Sequence, residues 1–264
     1  MLNMSKLPKD DIDMSIPMAE LQLAPPSEKS PSKVLLFGVE GVGKTTLAAQ
    51  FPNPLFIDIE GSTSKLKPQP KRLPDVDGYL SLKKQLAQVL NMKHDFKTLV
   101  IDSATVLERW VEEFVVAKGA EENANIISIE SFGYGKGYKL VEEEFGKFLD
   151  FMDRLMKEKH MNIVFVAHSI VRQAVEPGAA SGYDRYEVNL SKKVAPLLKQ
   201  WADAVLFANY KNITVEEKNG KARGIGGKER VLYCNHTAVI DAKNRFSLAD
   251  SVPMTIESLK PLFE

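Results

Sequence analysis

The sequence predicts an α/β fold: a mostly parallel sheet with helices on both faces and antiparallel strands near the C-terminus. Three observations predict it. Short apolar runs at 34–37, 55–59, 98–101 and 162–167 alternate with stretches of helical periodicity, the pattern of buried parallel strands joined by crossover helices. The first run leads directly into Gly38-Val39-Glu40-Gly41-Val42-Gly43-Lys44-Thr45, a G-x-x-x-x-G-K-[ST] segment that belongs between a strand and a helix. Past residue 203 the alternation stops, and Asn219-Gly220 between 204–215 and 230–235 reads as the turn of a β-hairpin.

The elements follow in order. Residues 1–32 carry Pro8, Pro17, Pro25, Pro26 and Pro31 among polar residues and read as an extended arm; residues 33–264 form the α/β domain. Met14, Ile16, Met18, Leu21 and Leu23 suit either a strap on the arm's own domain or an arm docked on a neighbouring subunit. After strand 34–37, a helix over 44–50 stops near Phe51-Pro52, and strand 55–59 follows. Lys- and Pro-rich residues 61–78 read as loop. Tyr79, Leu82, Leu86, Val89 and Leu90 make a helical face, as do Val106, Leu107, Trp110, Val111, Phe114 and Val115 after strand 98–101. Glycine-containing residues 119–138 read as loop. Val141, Phe145, Phe148, Leu149, Met152, Leu155 and Met156 mark a long amphipathic helix before strand 162–167. Residues 170–189 read as a second long loop, Val194 to Trp201 as a helix, and 238–242 as one more strand.

Bulk properties narrow the function. The 264 residues suffice for one large domain, and Lys plus Arg equals Asp plus Glu at 35 each. With zero formal net charge, any nucleic-acid contact must come from a local patch. Cys234 is the single cysteine, which rules out a disulfide framework and fits a reducing cytosol. No apolar run is long enough to span a bilayer, and the N-terminus lacks a signal-peptide stretch, so a cytoplasmic protein without membrane partners is expected.

The glycine-rich segment points to phosphate. Its three glycines allow a tight turn that aims backbone N–H groups inward, and the helix that follows adds its positive end. Gly38, Val39, Glu40, Gly41, Val42, Gly43, Lys44, Thr45 and Thr46 are the candidate nucleotide ligands, Lys44 bridging the β- and γ-phosphates and Thr45 binding Mg²⁺. Asp102 ends the strand at 98–101, where an acid can hold the same Mg²⁺ directly or through water, with Ser103 to orient it. Glu60, at the tip of the strand 55–59, is placed to polarise the attacking water as general base; Asp58 is the alternative.

This order of parts resembles the RecA-like ATPase core, and more closely the phage-encoded RecA-like ATPases of single-strand annealing and recombination. The stretches 55–61, 132–138, 165–168, 201–203 and 242–245 carry the resemblance over roughly residues 33–250. It implies that Glu60 is the catalytic base and Asp102-Ser103 the acidic strand end. It implies a polar sensor at His168, where the family usually has glutamine; a histidine there can meet a γ-phosphate or be satisfied by backbone. It implies two DNA-binding loops. The first holds Phe132, Tyr134, Lys136, Tyr138 and Lys139, aromatic and basic residues suited to stacking and phosphate neutralisation. The second holds Arg172 and Arg185. It implies that Lys243 and Arg245 reach a neighbouring subunit's ATP, and hence a head-to-tail homo-oligomer with nucleotide at its interfaces.

The expected function is therefore Mg²⁺-dependent ATP binding and hydrolysis coupled to single-stranded DNA, with a single-strand DNA-binding or annealing protein as a further partner, in the host cytoplasm if the chain is phage-encoded. The alternative is a nucleotide-gated assembly module for a helicase or annealing partner with little turnover. A metabolic kinase lacks a recognisable acceptor pocket or lid.

Overall fold

The computed structural model describes residues 30–175, 182–216 and 222–263. The N-terminal arm thus lies almost wholly outside the described residues, as does the Asn219-Gly220 turn.

The central strands are β1 (Lys33–Gly38), β2 (Pro54–Asp58), β3 (Lys71–Arg72), β4 (Thr98–Asp102), β5 (Asn162–Ala174) and β7 (Ala204–Glu216). They are parallel to their neighbours in the order β7-β1-β5-β4-β2-β3. The strand bearing the glycine-rich loop is therefore separated from β4, which ends in Asp102, by β5 alone. Antiparallel strands extend one side: β8 (Ala222–Tyr233) pairs with β7, and β10 (Ser251–Pro253) pairs with β8. Short β9 (Lys243–Asn244) also runs antiparallel to β7.

Side-chain alternation along each strand divides the core in two. Leu35, Phe37, Ile57, Ile101, Phe165 and Phe207 face α2 (Tyr79–Asn91), α3 (Ala104–Glu122), α4 (Lys136–Lys159) and α5 (Val194–Trp201). Val34, Leu36, Phe56, Val100, Val164 and Leu206 face the other side, covered by α1 (Lys44–Ala48) and by Leu259 and Leu262 of a C-terminal 3₁₀ turn. Strands buried on both faces have no polar side, which is why they read as unbroken apolar runs. Helices do lie on both faces, but unequally.

Three segments depart from the sequence reading. The described parts of 170–189 are not an open loop: β5 continues to Ala174 and pairs antiparallel with β6 (Tyr183–Val188). Polar and half-exposed side chains on this hairpin hide its alternation. Residues 238–242 form no strand; Ile240 makes only isolated bridges with Tyr186 and Thr237. The loop at 119–138 is shorter than expected, because α3 runs on to Glu122 and α4 starts at Lys136. Gly119 and Gly137 sit inside those helices because partners press on them: a Cβ at Gly137 would meet the Ile129 carbonyl at 2.3 Å.

Candidate nucleotide site

The glycine-rich loop leaves β1 under tight packing. A Cβ on Gly38 would lie 2.2 Å from the Ala208 carbonyl oxygen of β7. Gly41 and Gly43 adopt φ of +71° and +100°, the left-handed region in which glycine carries no Cβ penalty. The loop closes on α1, whose first N–H groups have no partner within the helix and are free for an anion. Val42 is buried and Thr46 exposed in the first turn.

Lys44 is buried at 7% exposure, and its ammonium donates to the Gly38 and Val39 carbonyls at 3.0 and 2.9 Å. Burial lowers its pKa, while the charges of Asp102, Glu60 and Glu40 hold it up. The Thr45 hydroxyl donates to Asp102 at 2.7 Å, and Ser62 donates to the same carboxylate oxygen at 3.1 Å. Asp102 is 3% exposed, and burial raises its pKa against the pull of those two hydroxyls; Glu60 and Asp58 raise it further. A buried carboxylate facing a threonine hydroxyl is a hard-oxygen pair suited to Mg²⁺, whose arrival offsets the cost of burying the charge. No cluster of three or more His, Cys, Asp or Glu able to hold a metal occurs among the described residues. Mg²⁺ here would thus depend on phosphate oxygens and water, its ordinary habit at phosphate sites.

Glu60 lies beside this pair. It accepts from His168 Nε2, at 3.0 and 3.2 Å to its two oxygens, and from the Ser103 hydroxyl. The His168 hydrogen bond lowers the Glu60 pKa, with burial opposing, and Glu60 in turn raises that of His168. Ser103 also caps α3 by accepting from the Val106 N–H at 3.4 Å, and a cis peptide joins it to Asp102. Glu60, Asp102, Lys44, Thr45 and His168 are thus gathered at the carboxyl ends of adjacent strands. Asp58 is otherwise engaged: it accepts from the Ser62 and Thr63 N–H groups at the start of the 3₁₀ turn Ser62–Lys65.

The remaining sequence candidates are distributed differently. Lys243 is occupied within its own chain, donating to the Lys199 and Gln200 carbonyls at 3.1 Å each and to Ala202, at the end of α5. Arg245 is exposed and pairs with Asp203 at 3.0 Å. Phe132 is not a free stacking surface: its ring packs against Gly119 and the main core. Tyr134 is fully exposed, Lys136 and Lys139 are exposed, and the Tyr138 hydroxyl donates to Glu130 at 2.7 Å. Arg172 is engaged by Glu187 and the Leu190 carbonyl, Arg185 by the Ala238 carbonyl and Tyr183. Both arginines therefore brace the β5–β6 hairpin, which the expectation of an open loop had missed.

Two contacts were not anticipated from the sequence. Ser62 joins Asp58 to Asp102; the Ser62-Thr63-Ser64 run after Glu60 was its only trace. Arg230 of β8 reaches the Val42 carbonyl at 3.3 Å; a lone arginine in a hairpin gives no sign of that.

A family model described as AAA domain matches residues 30–246. The chain belongs to this family. The AAA-domain assignment makes it a P-loop ATPase by family, with ATP as the implied nucleotide. No curated protein matches the chain significantly. Among solved structures, the RadB recombinase matches at 14% identity over 84% of this chain and 86% of that chain, with a TM-score of 0.46. No helix among the described residues is long and apolar enough to cross a membrane.

Proposed function

We propose that this AAA-domain protein is a Mg²⁺-dependent ATPase of RecA-like type that acts with single-stranded DNA in recombination or strand annealing, as in the phage-encoded proteins it resembles. The observation that carries the reading is the placement of Glu60, held by His168 and Ser103, next to Lys44 and the Thr45–Asp102 pair. Mg²⁺, when bound, would draw charge from the phosphate oxygens. The loop N–H groups and Lys44 hold those phosphates, which requires Lys44 to leave the Gly38 and Val39 carbonyls. Glu60 orients a water on the γ-phosphate side and takes its proton. Thr45 and Asp102 would hold the cation.

DNA contact rests on the exposed Tyr134, Lys136 and Lys139. A ring and two cations suit a base and its flanking phosphates, and the balanced charge of the chain makes the affinity salt-sensitive. Arg172 and Arg185 do not enter this proposal.

The experiment is phosphate release with and without single-stranded DNA at low salt. Glu60→Gln is expected to retain ATP binding and lose turnover by about 10²–10⁴-fold. A variant that hydrolyses at the wild-type rate would remove Glu60 from the mechanism, and no DNA binding at low salt would remove DNA from the function.

A second reading has an observation of its own. Lys44 and Glu60 are both engaged by groups of their own chain, as expected of a module that awaits nucleotide to change state. On that reading Glu60→Gln leaves partner assembly and biological activity intact.

A further inference from the structure

The β7–β8 hairpin leans on the glycine-rich loop. Tyr210 of β7 and Arg230 of β8 are cross-strand partners. The Tyr210 hydroxyl lies 3.5 Å from the Gly41 carbonyl, and the Arg230 guanidinium donates to that of Val42. The Arg230 backbone is held on both sides, by this pairing and by the Met254 N–H on its carbonyl at 3.1 Å. Its side chain is exposed and meets no carboxylate among the described residues; adjacent Glu229 is taken by Lys211 at 3.3 Å. Among the described residues, Lys44 and Arg230 are the cations that hydrogen-bond the loop backbone.

Gly43 takes part in the same arrangement. A Cβ there would sit 2.7 Å from Arg230 Nη1. The glycine that turns the chain into α1 therefore also clears the place where the guanidinium lies. A guanidinium has five N–H donors, and the Val42 carbonyl uses one.

We propose that Arg230 is a positioning residue of the nucleotide site, supplied by the same chain: it pins the outer, carbonyl side of the loop at Val42 and adds, at Gly43, a second positive charge to the loop that holds the phosphates of a nucleoside triphosphate. This rests on the nucleotide reading above. Removing the charge weakens binding of the more highly charged ligand most, and the loss grows as salt is lowered.

The test compares wild type, Arg230→Met and Arg230→Lys by direct binding of ATP and ADP at two salt concentrations, together with thermal unfolding of the nucleotide-free proteins. Arg230→Met should lose about tenfold in ATP affinity, less for ADP, with a flatter salt dependence. Arg230→Lys should recover part of the loss, and unfolding should be unchanged because the side chain is exposed. Wild-type ATP affinity and salt dependence in Arg230→Met would overturn the proposal. So would a loss that Lys does not relieve and that tracks a lower unfolding temperature, since the residue would then be a brace only. Wild-type protein that fails to bind ATP overturns the nucleotide reading itself; wild-type binding with an indifferent Arg230→Met overturns this inference alone.

Discussion

Glu60 and His168 hold each other in opposite charge states, and this makes their pairing titratable. The His168 pKa is raised above its ordinary 6.5, so its contribution to stability is complete below that value and is lost as pH rises through the raised one. The Glu60 pKa is lowered below 4.5, so its contribution is present above 4.5 and is lost as pH falls through the lowered value. Between those ordinary values both contributions are present. We expect His168→Gln to lower the thermal stability of the nucleotide-free protein at about pH 6, and the gap to wild type to shrink by about pH 9. A gap of constant size across that range would show that the imidazole acts through packing rather than charge. At this scale much of the candidate site's placement was legible. Glu60, Asp102 and Thr45 announce themselves because acids at strand ends and a hydroxyl after a lysine have few other reasons to recur together. Asp58 was harder to place: whether it faces water or caps a turn depends on the backbone of Ser62 and Thr63, which no spacing rule supplies.

Elements carry two further expectations. Gly38 is held against β7 by parallel pairing on both sides of β1, leaving no room for a methyl before the Ala208 carbonyl. Gly38→Ala should destabilise the chain by about 1–3 kcal/mol in denaturant unfolding, because backbone rather than a flexible side chain must yield. Little change would mean that β1 and β7 can part at their ends. Lys243 sets a different case. Three carbonyls at the end of α5 surround its ammonium, a favourable place for a cation at a helix C-terminus. Lys243→Met should cost about 1 kcal/mol in the isolated chain, independent of protein concentration. The strands of the sheet were readable because burial on both faces leaves unbroken apolar runs. The β5–β6 hairpin was not, because Arg172 pairs with Glu187, Arg185 with Tyr183, and Tyr186 stacks on Phe207, these hairpin side chains all at half burial, and no period survives that mixture. Phe132 was misread for a related reason: an aromatic beside glycines looks free until the neighbouring helix at Gly119 is known to receive it.

For the whole molecule, the exposure of Arg245 bears on whether one chain completes a site. The sheet assigns Lys243 to α5 but leaves Arg245 on the surface, 60% exposed and paired with Asp203. An exposed pair of this kind contributes between about 0 and 1 kcal/mol, so Arg245 can exchange Asp203 for a better anion at small cost. Of the two basic residues expected from the sequence to reach a neighbour, Arg245 is thus the one free to do so. If it meets the γ-phosphate of an adjacent subunit, Glu60→Gln and Arg245→Ala damage different halves of one shared site. Each variant alone should be nearly inactive. Mixed in equal amounts, a subunit with intact Glu60 meets an intact Arg245 from its neighbour at about a quarter of randomly formed interfaces. The mixture should recover roughly that share of wild-type turnover, while thermal unfolding of Arg245→Ala stays close to wild type. Turnover of the mixture equal to the mean of the two variants would place Arg245 outside the neighbour's site and leave each chain to hydrolyse with its own residues.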